Sequence, residues 1–121
     1  MTPLIASNEL EKIGVSQQEL LQKFNVQLIK DFERGGLEHY LKPLISFEYV
    51  SIQEEISKTL SEILSKENSK YQQLLYLIDI PEQDYSEALN KQEDNKMLSI
   101  ADLIIKRILQ KVILKLIYSK K

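Results

Sequence analysis

His39 is the only histidine in the 121 residues, and the chain has no cysteine. Without cysteine there is no thiolate to act as a nucleophile or to bind a metal. A single histidine leaves no multi-histidine metal site, and Glu38, its neighbour, lies on a different face of a helical segment. An enzyme that uses Glu38 and His39 would need a concave pocket around His39. We therefore predict a surface or half-buried histidine, no enzyme activity, no cofactor and no metal site.

Carboxylates are the other groups that could carry acid–base chemistry, and they cluster at residues 54–62 and 82–87. Acid–base catalysis by a carboxylate requires burial that shifts its pKa. Glu54 and Glu62 each have a lysine four residues later, which is the spacing of ion pairs on a solvated helix surface. The second cluster follows Pro81 at a predicted helix start, where acids suit the helix dipole. We interpret both clusters as solvent-exposed faces, and the sequence has no phosphate-binding glycine loop or nucleophile elbow.

Residues 8–21 resemble a helix-turn-helix DNA-binding motif, with the sequence Ile-Gly-Val-Ser at the turn and a glutamine-rich start of the second helix. The resemblance implies a DNA-binding regulator that would use residues 8–34. The sequence departs from the motif at Leu10, where a small residue is usual, and at Glu9 and Lys23, where apolar residues are usual. The second helix also has no basic excess to meet phosphates. A helix-ending glycine followed by a capping box accounts for the same residues, so DNA binding is our alternative function.

Basic side chains are concentrated near the C-terminal end, although the formal net charge is −2. Residues 97–121 carry six basic side chains and one acidic side chain, a balance of +5, whereas residues 1–96 carry a balance of −7. The chain as a whole lacks the basic excess of a nonspecific nucleic-acid binder, which argues against a nucleic-acid partner. The basic segment either packs among acidic helices of the same domain or meets an acidic partner, a nucleic acid or an anionic lipid.

The sequence has no pattern of a secretory signal or a membrane span. The first 13 residues lack a basic n-region and a long apolar run, and no stretch of 18 residues is free of charge. We predict a cytoplasmic protein that is not integral to a membrane.

Hydrophobic periodicity predicts helices along most of the chain. The best-defined helix starts with a capping box at residues 16–19, continues with Leu and Phe at four-residue steps, and stops at Gly35 and Gly36. Gly14 fits the left-handed residue after the first helix, and a second capping box at residues 51–54 predicts a restart or kink. The predicted helices cover residues 3–13, 16–34, a single turn at 37–41, the stretch from 44 to a polar break at 66–69, 69–80, 81–89 and 97–118, with a flexible loop at 90–96.

Residues 44–52 fit two patterns. Apolar and polar residues alternate from Ile45 to Tyr49, which is typical of a strand. The apolar residues from Ile45 to Ile63 also recur at steps of four and three, which is typical of a helix. A lone strand would have only residues 76–80 or a second chain with which to pair its backbone, so we predict a helix.

The last predicted helix, residues 97–118, is apolar over more than one face. A helix that packs one face on a core needs an apolar arc of about 100° or somewhat more, and this arc is wider. Lys106, Arg107, Lys111 and Lys115 spread over about half of the helical wheel, so the helix is not enclosed on all sides. Three alternatives follow: a central core helix, an interface with a second copy or another protein, and a helix on a membrane surface. The main apolar stripe consists of Leu98, Ala101, Ile105, Ile108, Leu109, Val112 and Leu116.

We predict an all-α fold in which residues 1–121 form a single domain, a bundle of five or six helices with a long central C-terminal helix. We predict that the protein acts by protein–protein interaction, most simply as a homodimer or other homo-oligomer. The interface would combine apolar and cationic side chains on the side of the last helix away from its main stripe. The candidate interface residues are Ile104, Arg107, Lys111, Leu114, Lys115 and Tyr118.

Overall fold

The computed structural model describes residues 3–46, 48–90 and 96–119, and these residues form six α-helices and no strand. The predicted all-α fold is confirmed. The predicted loop at 90–96 falls mostly on residues 91–95, which lie outside the described residues. The helices are α1 (Ser7–Ile13), α2 (Gln17–Arg34), α3 (Tyr49–Lys66), α4 (Asn68–Ile78), α5 (Glu82–Leu89) and α6 (Lys96–Ser119), with a 3-10 turn at Glu38–Tyr40.

The junction between α1 and α2 follows the predicted capping signals. Gly14 has a φ of 83°, and its N–H donates to the carbonyl of Leu10 at 2.8 Å. The Val15 N–H donates to the same carbonyl at 3.3 Å, which completes a Schellman-type end. The Ser16 hydroxyl then accepts the N–H of Glu19 at 3.0 Å and begins α2.

The first helix is shorter than the predicted span of 3–13. α1 begins at Ser7, and Pro3 forms an isolated antiparallel bridge with Glu48 instead. A bridge residue is extended, and Ala6 is still extended at ψ 146°, so helical geometry starts only after Ala6. The predicted start at Pro3 is therefore wrong.

The end of α2 agrees with the prediction. The helix stops at Arg34, directly before the two glycines, and Gly36 has a φ of 70°. The N–H of the buried Leu37 turns back to the carbonyl of Phe32 at 2.9 Å. The chain then makes the predicted short turn at Glu38–Tyr40.

Residues 41–46 form neither a helix nor a strand, and Phe47 lies outside the described residues. The side-chain amide of Asn25 in α2 satisfies the backbone hydrogen-bonding groups of Leu44 in this segment. Its Nδ2 donates to the Leu44 carbonyl at 3.0 Å, and its Oδ1 accepts from the Leu44 N–H at 3.2 Å. A side chain of a distant helix thus takes the place of a strand partner, and no local pattern shows it. The helix prediction is correct only from Tyr49 onward.

α3 runs without a break through residues 51–54, so the predicted restart at the second capping box is wrong. Its buried side chains Ile52, Ile56, Leu60 and Ile63 form one continuous stripe. Packing of this stripe on the core holds a single helix and overrides the local cap signal.

Two short connections join α3, α4 and α5. Glu67 alone separates α3 from α4, so the predicted polar break is a single residue. α4 ends at Ile78, and the next residue, Asp79, has a φ of 71°. Pro81 precedes α5, and Glu82 and Asp84 lie in its first turn as predicted.

α6 is the centre of the bundle, as predicted, and it packs against each of the other five α-helices. The buried face of α6 is rotated about the helix axis relative to the predicted stripe. Ile100 and Ile104 are buried, whereas Leu98 and Leu109 are only half-buried. Ile104 has no exposed surface, so its place among the interface candidates is wrong. The buried residues of α6 are Ile100, Ala101, Ile104, Ile105, Ile108, Val112 and Leu116.

Candidate functional site

Arg107, one of the predicted interface residues, is engaged within the protein. Its guanidinium group donates to the Asp79 carboxylate at 3.0 Å and to the Gln110 side chain at 2.7 Å. Because Asp79 is the left-handed residue at the end of α4, this ion pair joins α6 to the turn between α4 and α5. Arg107 therefore contributes to the cohesion of the bundle.

Lys111 is directed into the protein towards α2. Its Nζ lies 2.7 Å from Oδ2 of Asp31, and the two side chains are only 16% and 3% exposed. Each of these charges compensates the other, because removal of either one would leave an unpaired buried charge. The pair also explains the rotation of α6: Ile104 lies seven residues before Lys111, on the face that this pair turns inward.

Gln27 extends the contact to Lys115. Its Nε2 donates to Oδ1 of Asp31 at 3.1 Å, and its Oε1 accepts from Nζ of Lys115 at 2.6 Å. The pairs 27 with 115 and 31 with 111 run in opposite directions along the two chains, so α2 and α6 are antiparallel here. We call Gln27, Asp31, Lys111 and Lys115 the polar seam. Sequence reasoning placed its two lysines on an interface and missed its two α2 residues, although each pair has the four-residue spacing of one helix face.

Three apolar side chains remain outside the core on the last turns of α6. Leu114 is 44% exposed, Ile117 is 46% exposed and Tyr118 is 66% exposed. Their spacing of three and four residues places them on one side of the helix, away from the buried Val112 and Leu116. We call Leu114, Ile117 and Tyr118 the apolar tip. Two of them were predicted as interface residues, and Ile117 was missed although it lies three residues after Leu114.

A groove of about 520 Å³ runs between α2 and α6, on the outside of the polar seam. α2 contributes Lys23, Val26 and Lys30 to it, and α6 contributes Lys115 together with an apolar floor. Val26 is 61% exposed, which is high for an apolar side chain on a packed helix. We call this feature the α2–α6 groove.

Comparison of the chain with protein-family models, with curated proteins and with solved structures finds no match. Within the described ranges, no group of three or more His, Cys, Asp or Glu side chains could hold a metal ion. No helix in the same ranges is long and apolar enough to cross a membrane.

Glu38 and His39, the pair considered for catalysis, are both exposed on the 3-10 turn. The His39 ring lies against the ring of Tyr40 with centroids 4.4 Å apart, and His39 does not line the α2–α6 groove. The Tyr40 hydroxyl donates to the Glu67 carboxylate at 2.6 Å. This hydrogen bond raises the pKa of Tyr40 to about 12 and lowers the pKa of Glu67.

The helix and turn of the helix-turn-helix resemblance are present, but the charge on α2 is mixed. Arg34, one of its three basic residues, donates to the carbonyl of Leu77 at 3.2 Å. Glu19 and Glu33 remain exposed on the same helix. No described contact tests DNA binding by residues 8–34, so it stays a prediction.

Proposed function

We propose that this chain is a helical protein-binding domain without enzyme activity, and that it forms a homodimer through the apolar tip. The observation that carries the proposal is the exposure of Leu114, Ile117 and Tyr118 on one side of the last turns of α6. Side chains at i, i+3 and i+4 are the anchors with which one helix docks on another protein. Two tips related by a two-fold axis would place the same apolar residues against each other, as in most homodimers.

The proposed dimer is weak. Stable interfaces bury about 800 Å² on each partner, and three partly exposed side chains supply only a fraction of such an area. The core of an interface supplies most of its affinity through a few buried anchors, so Leu114 and Ile117 are the residues to change. We expect dissociation in the micromolar range or above.

Sedimentation velocity at increasing protein concentration tests the dimer. The unaltered chain should shift from monomer towards dimer, and the double substitution Leu114→Glu with Ile117→Glu should remain monomeric because it places charges in the apolar contact. Val50→Glu is the matched control, since Val50 is an exposed apolar residue on α3. A monomer at every concentration up to the millimolar range, or a dimer that persists in the double variant, would contradict the proposal.

The proposal includes a cytoplasmic location, for which the sequence pattern is the only support. Fractionation of cells that produce the chain with a short epitope tag tests it. The tag should appear in the cytoplasmic fraction, and its recovery with membranes or in the medium would contradict this part of the proposal.

A further inference from the structure

The α2–α6 groove has an apolar floor and a positively charged rim. Val112 and Leu116 of α6 are nearly buried at its base, and Val26 of α2 stands exposed beside them. Glu19 and Lys30 mark its two ends on α2, a length of about 16 Å at 1.5 Å per residue. This length equals three turns of a helix laid along it.

The lysines at this rim lack the partners that other lysines have. Lys58, Lys66, Lys70 and Lys106 each lie within 4.0 Å of a carboxylate three or four residues away on the chain. Lys23 and Lys30 form no side-chain hydrogen bond or ion pair with the residues that the structure describes.

Lys115 also leaves its charge uncompensated, because its hydrogen bond is to the neutral amide of Gln27. With Glu19 as its one acid, the groove has a balance of +2 in a chain whose net charge is −2. The charge of the groove is thus opposite in sign to the net charge of the protein, and the groove attracts a negatively charged partner.

We propose that the α2–α6 groove binds an acidic amphipathic helix of a partner protein. Apolar side chains of that helix contact Val26, Val112 and Leu116, and its flanking Asp and Glu residues pair with Lys23, Lys30 and Lys115. Recognition of this kind is a helix-in-groove interaction, with apolar anchors for affinity and charges for orientation and choice of partner.

The shape of the groove favours a helix over the other acidic partners. A bilayer surface binds a convex apolar face, whereas Val112 and Leu116 lie recessed between two helices and are reached only by side chains that project into the groove. The rim of this groove contains only lysine and lacks the planar arginine fork that binds a phosphate at two points.

Fluorescence anisotropy with a labelled synthetic peptide tests the proposal. The probe is a helix of about 11 residues that carries Leu at i, i+3 and i+7 with Glu on both flanks, a length matched to the groove. It should bind the full chain, and Lys23→Glu with Lys30→Glu should raise its dissociation constant about tenfold or more. The matched control is Lys12→Glu with Lys42→Glu, which makes the same charge change at exposed lysines outside the groove.

Two further comparisons assign the contribution of each part of the groove. Val26→Glu should weaken peptide binding strongly, whereas Val50→Glu should leave it unchanged. A peptide with Lys in place of Glu should not bind. The tip variant, Leu114→Glu with Ile117→Glu, should bind the acidic peptide normally, which separates this proposal from the homodimer.

The proposal is overturned by any of three results, each obtained with variants whose circular dichroism is unchanged. The acidic peptide fails to bind, it binds the groove variants as well as the unaltered chain, or phosphatidylserine vesicles bind through Lys23 and Lys30 while the peptide does not. Loss of self-association in Val26→Glu would instead assign the groove to a second copy of this chain and would also overturn it.

Discussion

α3 and α2 both pack on α6, but they present different side chains to the interior. The buried residues of α3 are Ile52, Ile56, Leu60 and Ile63, all of them apolar. α2 buries Gln27 and Asp31 among its leucines and phenylalanines, and these two polar residues bind lysines of α6. α3 makes one directional contact with α6, since the Gln53 side chain donates to the Leu98 carbonyl at 2.9 Å, and the rest of its packing on α6 is apolar and non-directional. The polar seam has fixed partners on each helix, and one register satisfies all four side chains.

The seam also determines part of the surface that α6 presents. It holds Lys111 inward and places Lys115 at the edge of the α2–α6 groove. The apolar tip does not follow from the seam, because Tyr118 lies seven residues after Lys111 and shares its face, yet it is 66% exposed near the end of α6. A change in the seam should therefore affect the groove, while a change on the α3 side should affect stability alone.

The largest effect is expected from Lys111→Met. This substitution keeps most of the side-chain volume and leaves the Asp31 carboxylate, only 3% exposed, without a cation. We expect a loss of about 4 kcal/mol in the free energy of unfolding, because an unpaired buried charge is strongly unfavourable. Urea denaturation followed by circular dichroism measures it.

The double substitution Asp31→Leu with Lys111→Met is the control for this prediction. It removes both charges, so stability should return to within about 1 kcal/mol of the unaltered chain. Its binding of the acidic peptide should be weaker, since the register that places Lys115 at the groove is no longer fixed by an ion pair. A loss below about 1 kcal/mol for Lys111→Met alone would show that the seam is no more sensitive than a surface contact.

Leu60→Ala tests the apolar side of the comparison. Leu60 is fully buried, and truncation of a buried leucine leaves a cavity, so we expect a loss of about 3 kcal/mol. The loss should be the same at low and high salt, because no charge takes part. Leu89→Ala on α5, at a partly exposed leucine, is the control and should cost less than about 1 kcal/mol. A strong dependence of the Leu60→Ala loss on salt would contradict this account of the α3 side.

The same contrast explains what the sequence could and could not predict. The extent of α2, the turn at Gly14 and the span of α6 follow from local signals, and the structure confirms them. Residues 44–46 were predicted as helix but are not helical, and the backbone N–H and carbonyl of Leu44 bond instead to Asn25, a residue distant in sequence. No pattern within the segment carries that information.

The polar seam was missed for a related reason. Asp31 and Lys111 are 80 residues apart, and each alone has the sequence pattern of a solvent-exposed charge. The apolar arc of α6 is so wide that more than one face of the helix could be the buried one. The ion pair with α2 fixes the face that carries Ile104 as the buried face. Leu114 and Tyr118 were placed on the interface on the same ground as Ile104, their position away from the main stripe, and these two are exposed.

The smallest effect is expected at a half-buried polar contact, the hydrogen bond between Tyr40 and Glu67, which provides the counterpart to the buried seam. The bond lowers the pKa of Glu67 from its ordinary 4.5, so its contribution to stability is fully present above about pH 4.5 and is lost as the pH falls through the lowered pKa. It also raises the pKa of Tyr40 from 10.0 to about 12, so the contribution is lost again as the pH rises from 10 towards 12. Tyr40→Phe removes the effect on Tyr40 and the part of the effect on Glu67 that is due to the tyrosine, while Lys70 still holds the pKa of Glu67 down. The difference in stability between the two chains should be largest at neutral pH and should shrink in acid.

Urea denaturation midpoints between pH 3 and pH 7 measure this prediction. Tyr76→Phe is the matched control, since Tyr76 is an exposed tyrosine on α4 and its loss of a hydroxyl should leave the pH profile unchanged. Parallel profiles for Tyr40→Phe and the unaltered chain would show that the bond does not form in the folded protein. A difference that persists undiminished at pH 3 would show instead that the tyrosine stabilises the turn by packing, because protonation of Glu67 removes the charge that strengthens the bond.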